Sequence, residues 1–144
     1  MKKVVLGIFI LFGLFGELGH AQEEIVERAQ NEAELKKMTD EMNMSCESSV
    51  TVTINWESFA KSEWREYSVS SFCGAPVESL SEFCSAEKKN SKAYIQKNVK
   101  RITCSYGGEG KRALVIKNGK INNIVDFKAS NLNDFIHAAL VKRL

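Results

Sequence analysis

Proline is almost missing from this 144-residue chain; Pro76 is the only one. Histidine is scarce too, with only His20 and His137. No two cysteines have Cys-x-x-Cys spacing, no acidic run surrounds a glycine, and no long apolar run follows residue 16. Each absence excludes something. Without a proline-rich or low-complexity linker, or an internal repeat, a second domain has no boundary to start from. The cysteine spacing argues against a thioredoxin-like redox site and a zinc ribbon. A calcium loop lacks its acidic residues. Convergent metal ligands cannot be drawn from so few histidines. The sequence implies no metal and no cofactor.

What is present begins with an export signal. Lys2 and Lys3 precede an apolar or weakly polar run from Val4 to Gly16, and Glu17 ends it. Gly19-His20-Ala21 then places small residues at the −3 and −1 positions of a cleavage site before Gln22. That order is what a bacterial-type signal peptidase reads. The run is shorter than the roughly 20 apolar residues of a membrane span. No cysteine follows it closely, so lipoprotein attachment is not expected. The expectation is a signal peptide over 1–21 and one domain over 22–144, exported to the periplasm or secreted, touching membrane only through the leader before cleavage. Cys46, Cys73, Cys84 and Cys104 all lie after the leader. An even count in an exported chain implies two disulfides.

Residues 23–43 read as a helix with Val26, Ala29, Ala33, Met38 and Met42 along one stripe and Glu23, Glu24 and Glu27 in its first turns. In 50–56, Val50, Val52, Ile54 and Trp56 alternate with Thr51, Thr53 and Asn55, the period of a strand with one buried face. A short helix is expected over 58–67, with Trp64 as a packing anchor. Residues 68–78 read as irregular because of their serines, Gly74 and Pro76. A helix is then expected from Ser79, capped by the Ser79–Glu82 pair, to about Lys89. The last third reads as an antiparallel meander of strands 99–106, 112–117 and 120–127. Asn118-Gly119 is a two-residue hairpin signal that sets Ile116 against Ile121. A final helix follows Asn131. The elements do not alternate as βαβ units, so the fold class is α+β: an antiparallel sheet of about four strands with helices on one face.

Four cysteines allow three pairings. The preferred one joins Cys73 to Cys84 and Cys46 to Cys104, provided the helix starts as late as Ser79. The alternative joins Cys46 to Cys73 and Cys84 to Cys104.

No catalytic constellation stands out. His137 falls away from the apolar stripe of its helix, and a cysteine nucleophile would have to escape disulfide formation. Gly107-Gly108-Glu109-Gly110-Lys111-Arg112 fails as a phosphate loop: Ser105 stands where the first glycine belongs, Arg112 replaces the metal-holding hydroxyl, and the segment joins two strands. Asn43-Met44-Ser45 matches a glycosylation triplet of the kind common by chance.

Charge is divided unevenly. Residues 22–87 hold 5 basic and 14 acidic side chains, whereas 88–120 hold 10 basic ones and Glu109 as the single acid. Mutual compensation of the two halves is one account of this. A basic face is the other, with Lys88, Lys89, Lys92, Lys97, Lys100, Arg101, Lys111 and Arg112 as the candidate anion-binding residues. Its partner would be an anionic envelope component or an acidic protein. Nucleic acid fits less well, because aromatics interleave poorly with these cations. The leading expectation is a small non-catalytic binding protein, of which an inhibitor or immunity protein is one form. The alternative is a small secreted hydrolase with an Asp/Glu acid–base pair, which would need a concave pocket with convergent carboxyls.

Overall fold

A computed structural model describes the backbone of residues 14–86 and 90–142. Side chains are described from Gly19 onward within those ranges. In chain order the elements are α1 (Leu14–Cys46), β1 (Thr51–Ile54), α2 (Trp56–Phe59), a 3-10 turn (Trp64–Glu66), α3 (Val69–Ser85), α4 (Ser91–Asn98), β2 (Arg101–Tyr106), β3 (Ala113–Lys117), β4 (Lys120–Val125) and α5 (Leu132–Val141).

The α+β class holds, with a four-stranded sheet and helices on one face. The sheet is mixed, however, and not antiparallel. Its order is β1-β2-β4-β3; β1 and β4 both run parallel to β2, and only β3 and β4 are antiparallel. The expected meander fails because β4 inserts between β2 and β3. Burial explains why. Ile121, Asn123 and Val125 of β4 are all buried, which a central strand requires. β3 keeps Val115 46% exposed and carries Lys117, which suits an edge. The 107–112 loop therefore crosses the end of β4. Gly107 donates to Val125 O at 3.0 Å, and a Cβ there would meet Ile124 Cγ2 at 2.4 Å. Asp126 holds the loop by accepting from Gly110 N at 2.6 Å and Lys128 N at 3.0 Å. The glycines serve this crossover. The β3–β4 hairpin itself has the expected register, Ile116 against Ile121, with Asn118 and Gly119 both at positive φ.

The second correction concerns residues 68–78. They are helical: α3 begins at Val69, and Ser68 caps it by accepting from Ser71 N. Ser79 and Glu82 lie inside this helix and form no capping box. Gly74 is used for close packing, since a Cβ there would meet Met38 Cε of α1 at 2.2 Å. Pro76 cannot donate to Phe72 O, the carbonyl four residues back. Asn123 Nδ2 of β4 donates to it instead, at 3.0 Å. Residues 91–98 form α4, between the expected end of the preceding helix and the strand at 99.

The third correction is the disulfide pairing. Cys46 bonds Cys84 and Cys73 bonds Cys104, with Cα separations of 5.2 and 5.4 Å. Neither the preferred pairing nor its alternative occurs. Cys73 and Cys84 share one helix, about 16 Å apart along its axis at 1.5 Å per residue, so they cannot meet. Three helical turns also put them on one face. Cys84 thus reaches the end of α1, and Cys73 reaches β2 beneath it.

α1 begins at Leu14 and runs unbroken past Ala21, earlier than the expected start at residue 23. Glu24 forms an ion pair with Arg28, and Glu23 and Glu27 with Arg65. Beyond them, Leu35, Met42 and Cys46 enter the core. Trp64 is buried, and Phe127 sits among Phe59, Tyr67, Phe72 and Tyr106, stacked on Tyr67 at 4.5 Å.

Candidate anion-binding face

Strand alternation gives the sheet two unlike faces. Ile102, Cys104, Ile121, Asn123 and Val125 point to the helices and are buried. Among the described residues no helix covers the opposite face. It shows Thr51 and Thr53 from β1, Arg101, Thr103 and Ser105 from β2, Lys120, Asn122 and Ile124 from β4, and Lys117 and Val115 from β3.

Register turns this list into a site. Thr51 pairs with Arg101, Arg101 with Lys120, and Lys120 with Lys117. Three cations therefore stand in one row across three neighbouring strands, about 5 Å between neighbours. All three are exposed, and among the described residues no carboxylate pairs with any of them. Like charges directly opposite each other in a sheet are destabilising.

Lys97, in the last turn of α4, and Lys100, in the link to β2, lie at the hairpin end of the row, where Lys100 Nζ donates to Gln96 O of α4 at 2.6 Å. The hairpin tip docks on this link: Lys100 N and Arg101 N both donate to Gly119 O, at 2.8 and 3.2 Å. Beside it Lys97, Lys100 and Lys117 line a cavity of about 440 Å³ with Tyr94, Asn98 and Asn118. Gly119 thus joins the hairpin that carries Lys117 and Lys120 to the link that carries Lys100 and Arg101.

The candidates named from sequence separate. Lys97, Lys100 and Arg101 belong to this cluster. Lys92 pairs with Glu47 at 3.1 Å. Lys111 and Arg112 lie at the other end of β3; Arg112 donates to Ser130 O and stands 4.5 Å over the Phe135 ring. Lys88 and Lys89 fall outside the described residues. Lys117 and Lys120 were not named, although the hairpin signal carries them: a two-residue Asn118-Gly119 turn sets 117 opposite 120.

Other chemistry-bearing groups are engaged elsewhere. His137 is exposed and stacks on Phe83 at 4.8 Å. With Glu78, Glu82 and Asp134 it lines a cavity of about 330 Å³. No hydrogen bond or ion pair joins any two of these four among the described residues. Among the described residues no cluster of three potential metal ligands occurs, and no helix is long and apolar enough to cross a membrane. Asn43, of the glycosylation triplet, spends its amide on Val50. The cysteines are all paired, which points to an oxidising compartment. No protein-family model, curated protein or solved structure matches the chain.

Proposed function

We propose that this chain is exported, is cleaved after Ala21, and acts without catalysis by binding an anionic component of the cell envelope through the open face of its sheet. The observation that carries the reading is the row Arg101–Lys120–Lys117. A fold that sets three cations in register, with no carboxylate partner among the described residues, accepts a local electrostatic cost, and an anionic ligand removes it. A flat, hydroxyl-rich sheet face suits repeated phosphate or carboxylate groups better than one enclosed small molecule. The two disulfides and the apolar leader support the compartment, because both belong to exported chains.

The test is co-sedimentation with phosphatidylglycerol vesicles against neutral phosphatidylcholine vesicles. The reading expects retention on the first alone, lost on adding salt. Equal retention on both overturns it. Intact mass of the exported protein tests the leader: the expected chain begins at Gln22, and a mass that retains Met1 rejects the cleavage.

A further inference from the structure

A second surface lies on the helix side of β1. Among the described strands β1 is an edge strand, and α1 runs beside its free edge. Thr51 N donates to Lys100 O and Asn55 N to Cys104 O across the β2 side. Alternation then turns the N–H and C=O groups of Val50, Val52 and Ile54 to the free edge. At Val50 that edge is already satisfied. Val50 N donates to Asn43 Oδ1 and Asn43 Nδ2 donates to Val50 O, both at 2.9 Å, while Ser48 Oγ fixes the amide at 2.8 Å. The Asn43 side chain thus imitates one residue of a neighbouring strand and stops there. Val52 and Ile54 have no such partner among the described residues. Their backbone groups open into a groove of about 510 Å³ between β1 and α1, with Leu35, Val50, Val52 and Ile54 among its apolar lining.

We infer that this groove is a docking site for an extended, basic peptide segment of a partner protein, which adds a fifth strand to the sheet at Val52 and Ile54. Main-chain groups spaced two residues apart along an edge are matched by another extended main chain. Asn43 sets one limit of the site, and the Trp56–Glu32 hydrogen bond, at 2.7 Å, sets the other. Charge gives the sign. Lys36 and Asp40 on the rim pair with each other, whereas among the described residues Glu32 has only the neutral indole, leaving the rim at −1. From His20 to Cys46, α1 carries 7 acidic and 3 basic side chains, a balance of −4. A cationic segment is therefore favoured over an acidic one. This site is separate from the cation row and does not depend on it.

The test uses the full chain, isotope-labelled, titrated with the amidated pentapeptide acetyl-Lys-Val-Lys-Val-Lys. The Val52 and Ile54 amides should shift and exchange more slowly with solvent. The same peptide N-methylated at alternate amides, and an acetyl-Glu-Val-Glu-Val-Glu analogue, should each bind at least about fivefold more weakly, from lost hydrogen bonds and reversed charge. Val52→Pro removes an N–H that faces away from β2 and should weaken binding by a similar factor. If that variant does not fold, the N-methylated peptide on the native chain decides. Equal affinity of both lysine peptides, shifts confined to other residues, or no shift at millimolar peptide overturns the proposal. So does a peptide-free dimer that protects the same two amides, since the occupant is then a second copy.

Discussion

Asn123 of β4 donates its side-chain amide to the Phe72 carbonyl of α3 at 3.0 Å, taking the place of the N–H that Pro76 lacks. Asn123 is 1% exposed, so this is a polar contact in the core between sheet and helix. Asn123→Ala leaves the Phe72 carbonyl, on a half-buried residue, without this donor and should cost about 1 kcal/mol. Pro76→Ala supplies the missing N–H. In that background Asn123→Ala should cost less, by a coupling that urea unfolding of the four variants measures. Strict additivity would mean that the amide does not substitute for the proline.

The two disulfides close loops with sequence separations of 38 and 31 residues. Each should contribute about 3–4 kcal/mol by restricting the unfolded chain. Non-reducing peptide mapping should recover Cys46 with Cys84 and Cys73 with Cys104. The paired variants Cys46→Ser/Cys84→Ser and Cys73→Ser/Cys104→Ser should each melt well below the native chain. Recovery of a Cys73–Cys84 peptide would contradict α3 as one continuous helix.

Arg65 ties the 3-10 turn to α1. Its guanidinium hydrogen-bonds Glu27 and holds that carboxyl below its ordinary 4.5, the hydrogen bond being the larger cause and charge attraction a smaller one, against a desolvation that pushes the other way. Because the folded carboxyl takes up its proton at lower pH than the unfolded one, the pair stabilises the fold fully above the unfolded value. That stability is lost as pH falls through the folded value. Melting temperature of the native chain should therefore fall below about pH 4.5, and Glu27→Gln should remove this part of the fall. An identical acid limb in Glu27→Gln would show that the pair contributes nothing.

How much of this was readable in advance follows from where each signal is generated. The alternation of Val50, Val52 and Ile54 is local, and β1 lies within the expected strand. Asn118-Gly119 is also local, since both residues take positive φ in the turn. Gly74 and Pro76 misled because helix breakers are read from the backbone alone. Here Met38 closes over the glycine and Asn123 satisfies the carbonyl freed by the proline, and both come from distant elements. The disulfide pairing inherited that error. The insertion of β4 between β2 and β3 depends on which strand buries its inner face better, a comparison no short window contains. For the candidate face, the excess of cations in 88–120 was legible, but its geometry was not. Register brings Lys117 and Lys120 beside Arg101, and the crossover sends Lys111 and Arg112 to the far end.

The central claim is that position, and not net charge, makes the Arg101–Lys120–Lys117 row a binding face. The most direct measurement compares two triple variants with the same change in charge on phosphatidylglycerol vesicles at 50 to 300 mM salt, about 50 mM apart, a range over which screening strengthens. One is Arg101→Ser/Lys117→Ser/Lys120→Ser; the other is Lys37→Ser/Lys61→Ser/Lys111→Ser, three exposed cations elsewhere. The account predicts that the first loses retention about tenfold and most of its salt dependence, while the second stays close to the native chain. Equal losses in both, or retention of the first at native strength, would contradict it.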